Sequence, residues 1–271
     1  MRHRGLKAIV HASEGVVGRR RLAQFARLLT NEVRLDVAND IGTNGETLVQ
    51  RAARTLEDPI VLDVGGHYGE WSVSLLSQAG HAPLLHVFEP SAHSAGLARG
   101  NLGSRAQVHQ LALSDHVGES DLFIVHEGAG SNSIVPFTDR RGAPGETERV
   151  AVGTLDDFCS ARDLRHLSLL KIDAEGHDLA VMRGAVRMLQ ARAIDMIQFE
   201  YNHRWIDARA FLLDAFELLQ GHGYQMGKVT PRGIELYSTW HPELEKFTEG
   251  NYLAYLPRVE ARLLTLPWWG G

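Results

Sequence analysis

The sequence predicts a doubly wound α/β fold built on a mostly parallel sheet of seven strands. Short runs of apolar and β-branched residues alternate along the chain with segments of helical periodicity. Strands that alternate with helices of ten or more residues imply parallel βαβ crossovers. Glycines or acidic residues follow several of the strand-like runs, which is typical of sheets that bind ligands beyond the carboxyl ends of their strands.

The elements follow in order. Strands are predicted at 60–64, 84–88, 108–113, 169–173, 194–200, 224–229 and 251–256, and helices at 70–78, 91–101, 178–190 and 207–220. Residues 1–57 are predicted to form an N-terminal helical cap, because Leu22, Phe25 and Leu29 recur at roughly helical spacing. The polar, glycine-rich stretch 115–152 breaks the alternation and is predicted to be an inserted antiparallel hairpin or a loop. A loop here could close over a bound substrate, although a plain surface hairpin has the same composition.

Composition excludes several partner classes. The formal net charge of −5 over 271 residues gives no electrostatic case for nucleic acid or for an anionic membrane. The single cysteine, Cys159, cannot form an intrachain disulfide. The apolar run near the start of the sequence is too short for a signal peptide or a membrane span, so a cytoplasmic protein is expected. The N-terminal helices offer a face for a homodimer, and oligomeric state is left open.

The strongest local signal is a glycine-rich run between a strand and a helix, Asp63-Val64-Gly65-Gly66-His67-Tyr68-Gly69. Glycines allow a sharp turn and let a ligand approach the backbone closely. Their spacing differs from the G-x-G-x-x-G of dinucleotide-binding proteins. A tight turn without a ligand would show the same run, so this motif needs support from elsewhere.

Two acidic residues at the ends of the next strands supply that support. Glu89 follows the second strand about twenty positions after the glycines, where this architecture hydrogen-bonds a ribose. Asp115 follows the third strand and is placed to accept a hydrogen bond from an adenine amine. Either residue alone could be an ordinary loop or turn acid. Together with the glycines they predict a nucleoside-binding site.

Four runs also carry a family resemblance: Asp63-Val64-Gly65-Gly66-His67-Tyr68-Gly69-Glu70-Trp71-Ser72, Val87-Phe88-Glu89-Pro90, Ala112-Leu113-Ser114-Asp115 and Leu170-Lys171-Ile172-Asp173-Ala174-Glu175-Gly176-His177-Asp178. In order and spacing they resemble the FkbM-type methyltransferases over residues 58–257. The resemblance implies a Rossmann-like methyltransferase domain at 58–271, S-adenosylmethionine as cofactor, and O-methylation of hydroxyls on natural products or sugars. Members commonly have a small residue and Asn where this chain has Gly66 and His67, so His67 is expected to alter the methionine contacts or to point outward.

By this match, Asp63, Gly65 and Gly69 would line the methionine end of the cofactor, Glu89 the ribose and Asp115 the adenine. The whole predicted cofactor site comprises Asp63, Gly65, Gly66, His67, Gly69, Glu89, Pro90, Leu113, Ser114, Asp115 and Asp173.

The methyl acceptor is predicted to be a small molecule with a hydroxyl group, held where later strands end. Asp173 and Glu200 end two strands, and Lys171 lies on the same strand face as Asp173. Because a hydroxyl must lose its proton, a nearby base is expected. Asp173, Lys171 and Glu200 are therefore the predicted catalytic residues. The predicted substrate contacts are Glu175, His177, Asn202 and His203.

Each of these residues also has a structural interpretation. Lys171 could belong to a buried ion pair, and Glu175 to Asp178 could form a loop that caps a helix. Mg²⁺ is not expected, although Asp173, Glu200 and Asn202 are oxygen ligands that it accepts. A non-catalytic cofactor-binding module and an N- or C-methyltransferase are kept as alternatives, and an NAD(P)-dependent oxidoreductase is disfavoured by the glycine spacing.

Overall fold

The computed structural model describes residues 2–124, 130, 132–136 and 146–268. Two compact units divide the chain, residues 1–38 and residues 39–271. The described residues form helices α1 (Arg2–Val17), α2 (Arg19–Arg34), α3 (Glu46–Arg54), α4 (Glu70–Ser77), α5 (Ala92–Leu102), α6 (Leu155–Ala161), α7 (Asp178–Arg183), α8 (Val186–Gln190) and α9 (Leu212–Gly221). Short 3₁₀ helices lie at Gly103–Arg105, His203–Trp205, Pro242–Leu244 and Pro257–Arg262.

The strands, in chain order, are β1 (Ile60–Val64), β2 (Leu84–Phe88), β3 (Gln107–His109), β4 (Ala112–Ser114), β5 (Gly118–Ile124), β6 (Glu146–Thr154), β7 (Leu167–Ile172), β8 (Ile194–Tyr201), β9 (Gln225–Thr230), β10 (Gly233–Tyr237), β11 (Gly250–Tyr255) and β12 (Thr265–Pro267).

The smaller unit consists of α1 and α2. Gly18 separates the two helices with φ of 83°, a conformation that glycine adopts without steric cost. Helix α2 ends at Leu35, which is left-handed with φ of 53°. The predicted cap extended to residue 57, but α3 packs within the larger unit, so the division lies at 38/39. Whether residues 1–57 act as a cap stays a prediction.

A single large sheet organises the larger unit. Its strand order is β12-β10-β9-β11-β8-β7-β1-β2-β3, and the neighbours from β8 to β3 are all parallel. Strand β11 runs antiparallel to both β8 and β9. The doubly wound, mostly parallel α/β class is confirmed. Six of the seven predicted strands and the first part of the third lie in this sheet, and β10 and β12 extend it at one edge beyond the prediction.

Successive side chains of the central strands point to opposite faces of the sheet and pack in two separate hydrophobic cores. Val61 and Leu169 pack in one hydrophobic cluster, whereas their neighbours Leu62 and Leu170 pack in the other. Side chains of α3, α4 and α5 belong to the first cluster, and those of α6 to α9 to the second. Burial on both faces explains why these strands are nearly continuous apolar runs.

The predicted third strand at 108–113 is wrong as a single element. The chain leaves the main sheet after β3, and β4 pairs with β6 in a separate three-stranded sheet of order β4-β6-β5. Strands β5 and β6 pair antiparallel, as predicted for the insertion. Part of the predicted closing loop, residues 125–129, 131 and 137–145, lies outside the described residues. None of the described helices has both the length and the apolar composition that crossing a bilayer requires.

Candidate active site

Two adjoining clefts open beyond the carboxyl ends of β1, β2, β7 and β8. Strand order reverses between β1 and β7, and such a switch point is where open α/β sheets bind ligands. The first, which we call the apolar cleft, contains about 560 Å³ of space free of protein atoms, part of which is open to solvent. Its lining includes Val64, Gly65, Phe88, Glu89, Pro90, Leu111, Leu113 and His177. The second, the polar cleft, is lined by Asn39, Asp40, Glu46, Gly66, Trp71, Lys171, Glu200, Asn202, His203, Arg204 and Glu249, among others. Gly65, His67, Asp173 and Glu175 border both.

The glycine turn after β1 forms the floor between the clefts. Gly65 has φ of 76°, and a Cβ on it would lie 1.8 Å from the carbonyl oxygen of Asp173. A Cβ on Gly66 would lie 2.2 Å from Val87 Cγ1. Gly65 therefore has no room for a side chain, and a side chain on Gly66 would require Val87 to move. Gly69 lines neither cleft; it is the left-handed N-cap of α4, with φ of 88°.

Glu89 is fixed at the wall of the apolar cleft by two backbone donors. Its Oε2 accepts from the His67 N–H at 2.9 Å, and its Oε1 accepts from the Ser91 N–H at 2.9 Å. Burial raises the pKa of Glu89 to about 7, although these two bonds lower it. A carboxylate has about four acceptor sites, so the two oxygens retain acceptor capacity toward the cleft.

The predicted adenine-binding run separates into two environments. Leu113 and Pro90 line the apolar cleft. Asp115 does not line it: its side chain is 46% exposed, and its Oδ1 is held by the His116 ring at 2.9 Å and by the Ser114 hydroxyl at 3.1 Å. Ser114 is fully buried, and its hydroxyl lies 2.9 Å from His177 Nε2. The structure therefore does not bring Asp115 to the wall that Glu89 and Leu113 share.

Lys171 is buried among carboxylates. Its Nζ lies 3.2 Å from Asp63 Oδ1 and 3.4 Å from Asp173 Oδ2. Burial alone would lower the pKa of Lys171, but Asp63, Asp173 and Glu46 outweigh it and raise the pKa. Asp63 is fully buried and also accepts from the Ser72 hydroxyl at 2.6 Å. Asp63 thus supports the floor of the site through Lys171 rather than lining a cleft itself.

Three carboxylates converge where the clefts meet. Asp173, Glu175 and Glu200 each place an oxygen within 4.8 Å of the others. Asp173 is paired with Lys171, and Glu175 Oε2 lies 2.9 Å from Arg204 Nε. Burial, followed by the charge of Asp173, raises the pKa of Glu175 to about 8. The pKa of Glu200 is raised well above its usual value, first by burial and then by Asp173 and Glu175.

Glu200 is held by two amides. Asn39 Nδ2 donates to its Oε1 at 2.8 Å, and Asn202 Nδ2 donates to its Oε2 at 2.6 Å. The side-chain oxygen of Asn202, Oδ1, accepts from the backbone N–H of Arg204 at 2.8 Å. Both ends of the Asn202 amide thus make bonds within the chain.

The two histidines of the predicted substrate contacts have different surroundings. His203 is exposed and lines the polar cleft. His177 lines the apolar cleft and bonds Ser114. Burial lowers the pKa of His177 to about 4, so its imidazole is neutral at physiological pH. The neighbouring residue Glu175 has a left-handed backbone conformation, with φ of 50°.

Several residues of the polar cleft escaped prediction, among them Asn39, Glu46, Trp71 and Glu249. Glu46 accepts from Asn44 at 2.6 Å and from Gln198 at 2.7 Å. Asn39 and Glu46 precede the first predicted strand and have no local motif, so only their long-range pairing with β8 reveals them. Trp71 does lie inside the glycine-rich run Asp63–Ser72, and its position there is a local signal that could have revealed it.

Comparison with known proteins identifies a family. The family model described as the methyltransferase FkbM domain matches residues 63–226. The 2-O-methyltransferase NoeI of Sinorhizobium fredii is 26% identical over 200 residues, covering 66% of this chain and 77% of NoeI.

Solved methyltransferase structures show a looser likeness. An FkbM methyltransferase from Methylobacillus flagellatus is 18% identical with a TM-score of 0.48, and the match covers 73% of this chain but only 44% of that one. A SAM-dependent methyltransferase from Aquifex aeolicus is 10% identical with a TM-score of 0.41, covering 83% and 96%. On the family match, which spans more than half of its residues, the chain belongs to the FkbM methyltransferase family.

Proposed function

We propose that this methyltransferase uses S-adenosylmethionine and methylates a hydroxyl oxygen on a small molecule, a natural product or a sugar. The observation that carries the proposal is the wall formed by Glu89 beside the glycine turn. Glu89 is 7% exposed, is held by two backbone N–H groups, and lines a cleft where Gly65 leaves no room for a side chain. The relative NoeI is named a 2-O-methyltransferase, which supports oxygen as the acceptor atom.

The residues of the apolar cleft fit the cofactor. Glu89 would accept from the two ribose hydroxyls with the lone pairs that His67 and Ser91 leave unused. Leu113 and Pro90 offer apolar surface to the adenine ring. The floor at Gly65 and Gly66 would allow the methionine end to lie against backbone. When bound, S-adenosylmethionine supplies a methyl group on a positively charged sulfur.

Glu200 is the residue best suited to remove the acceptor's proton. A general base works best when its pKa lies near the working pH, and burial raises the pKa of Glu200 in that direction. Asp173 is already engaged in an ion pair, since Lys171 Nζ lies 3.4 Å from its Oδ2. Lys171 would instead orient Asp173 and Asp63 beneath the site.

The polar cleft favours an uncharged, hydroxyl-rich acceptor. Its lining includes the carboxylates of Asp40, Glu46, Glu70, Asp173, Glu175, Glu200 and Glu249. The cations Lys171 and Arg204 are already paired with carboxylates. A phosphorylated or carboxylated acceptor would meet repulsion from the ionised members of this set, whereas hydroxyl groups can donate to these oxygens.

The cofactor assignment is tested by calorimetric titration with S-adenosylhomocysteine. Glu89→Ala should weaken binding ten- to hundredfold, about 1.5–3 kcal/mol, because a charged hydrogen-bond acceptor is lost. Glu89→Gln, which keeps the shape and one oxygen, should lose less. Glu217→Ala, on the exposed face of α9, is the matched control and should bind like the wild type. No binding by the wild type would refute the proposal.

The acceptor atom is tested separately. Protein incubated with methyl-labelled S-adenosylmethionine and a panel of neutral glycosides, their uronates and simple phenols should transfer label to a hydroxyl, as located by mass spectrometry. Label on nitrogen or carbon would refute O-methylation. A cytoplasmic location, the lack of nucleic-acid and membrane partners, and a homodimer stay predictions.

A further inference from the structure

Glu200 differs from the other carboxylates of the site in its partners. Asp173 is paired with Lys171, and Glu175 with Arg204. Glu200 is 4% exposed, and its two oxygens are bonded by amide N–H groups of Asn39 and Asn202 at 2.8 and 2.6 Å. The charged groups that act on it most strongly are all carboxylates: Asp173, Glu175, Asp178 and Glu249. The neutral amide groups of Asn39 and Asn202 thus donate hydrogen bonds that stabilise the Glu200 carboxylate among these negative charges.

The orientation of the Asn39 amide is set by its other bonds. Its Oδ1 accepts from Asn44 Nδ2 at 3.0 Å and from Asn251 Nδ2 at 3.5 Å. Since an amide NH₂ group cannot accept a hydrogen bond, the end that faces these two donors must be the oxygen. The NH₂ end therefore faces Glu200 in any arrangement that satisfies the network.

The second amide is fixed in the same way. Asn202 is 5% exposed, and its Oδ1 accepts from the Arg204 N–H at 2.8 Å. This bond begins the 3₁₀ turn His203–Trp205 and again leaves the NH₂ end for Glu200. Asn202, predicted to contact substrate, lines the polar cleft and also makes these two bonds within the chain.

We propose that Asn39 and Asn202 are positioning residues that clamp the Glu200 carboxylate in its ionised form, oriented to accept a proton from the methyl acceptor. The role rests on the proposed function, because Glu200 is a base only if a hydroxyl is methylated. It extends the site to Asn39, which lies outside the matched family domain.

The clamp predicts how Glu200 titrates. Hydrogen bonds to a charged carboxylate favour that form, so removing a donor raises the pKa. In Asn39→Ala the midpoint of Glu200 should rise by about one pH unit. Asn202→Asp keeps the oxygen that accepts from Arg204 but places a carboxylate oxygen against Glu200. In this variant the two facing carboxyl groups should share a proton. The titration midpoint of Glu200 should therefore lie more than about one pH unit above its wild-type value.

The measurement is a carbon-13 NMR titration of protein labelled at the glutamate side-chain carboxyl, with Glu200 assigned by its disappearance in Glu200→Gln. The matched control is Asn251→Ala. Asn251 lies directly opposite Glu200 in the β11–β8 pairing, but its amide bonds Glu46 at 3.2 Å and Asn39 rather than Glu200. The Glu200 midpoint should move less in this control than in Asn39→Ala.

An unchanged Glu200 midpoint in folded Asn39→Ala and Asn202→Asp would overturn the clamp, as would an equal shift in the Asn251 control. Thermal unfolding establishes that each variant is folded, and because the two variants alter different segments, either one suffices. S-adenosylhomocysteine titration of the same proteins separates the two proposals. A wild type that does not bind the ligand refutes the proposed function, whereas normal binding with an unchanged midpoint refutes only the clamp.

Discussion

Replacing Lys171 by Met tests how the floor of the site is held together. The substitution keeps the length and most of the volume of the side chain and removes its charge. In the wild type, Lys171 Nζ lies 3.2 Å from Asp63 Oδ1 and 3.4 Å from Asp173 Oδ2. Asp63 is fully buried, whereas the Asp173 side chain is 32% exposed. The loss therefore falls mainly on Asp63, since water can solvate Asp173 once Lys171 is gone.

The expected cost follows from that geometry. Opposite charges 3.2 Å apart attract by about 5 kcal/mol at an effective dielectric constant of about 20. Breaking a buried pair from one side typically costs about 3–5 kcal/mol, because a buried charge is left unpaired. We expect Lys171→Met to lose about 3–4 kcal/mol of unfolding free energy at pH 7, a large share of the roughly 5–15 kcal/mol of an ordinary domain.

Urea denaturation followed by circular dichroism measures this loss. The midpoint should fall by roughly 1–2 M. Adding Asp63→Asn to Lys171→Met should recover at least half of the loss, because a neutral amide needs no counter-charge and its oxygen can still accept from Ser72. A loss under about 1 kcal/mol in the single variant, outside the range for a broken buried pair, would refute the reasoning. So would a double variant no more stable than the single one.

Three further predictions concern binding, acid stability and the turn. Burial raises the pKa of Glu89 to about 7, and its carboxylate accepts hydrogen bonds best when ionised, so the affinity for S-adenosylhomocysteine should weaken as pH falls from 8 to 6. Calorimetry should find that Glu89→Gln has lost this pH dependence. If the dependence persists in Glu89→Gln, Glu89 is not its cause. Burial, then the charge of His86, lowers the pKa of His109 to about 4, so the unfolded chain binds more protons and stability falls as pH drops from about 6.5 to 4. Urea midpoints of His109→Gln should show a shallower fall over that window, and an unchanged slope would contradict the assignment. Gly65→Ala would place a Cβ 1.8 Å from the Asp173 carbonyl oxygen at φ of 76°, so it should abolish S-adenosylhomocysteine binding in titration, and wild-type affinity would show that the turn is not at the ligand.

The alternation of strands and helices was predictable because each central strand is buried on both faces. Runs such as Ile60–Val64 and Leu84–Phe88 are apolar for that reason, and both became parallel neighbours. The split at 108–113 was not predictable, since two short strands in different sheets show the same apolar pattern as one longer strand. Strands β10 and β12 pair at the sheet edge, where local patterns are weakest.

The site divides in a similar way. Glu89 and the glycines were predictable because both follow strands whose carboxyl ends must meet at one edge. Asp115 was placed by the same logic, but β4 belongs to the second sheet, which turns this side chain outward. Asn39 and Glu46 form hydrogen bonds with residues of β8 and β11 that are far away in the sequence. Such long-range contacts leave no local spacing pattern from which they could be predicted.

The amide network around Glu46 also bears on how the protein forms during synthesis. Glu46 accepts from Asn251, which is 205 positions later in the chain. At about 5–20 residues per second, a ribosome takes roughly 10–40 s to cover that distance. During this interval Glu46 must stay hydrated or be met by other donors, because its last amide does not yet exist. The hydrogen-bond network of Glu46, which lines the polar cleft, is therefore completed only when β11 pairs with β8. A nascent chain can form the turn at Gly65 and Gly66 well before this part of the polar cleft.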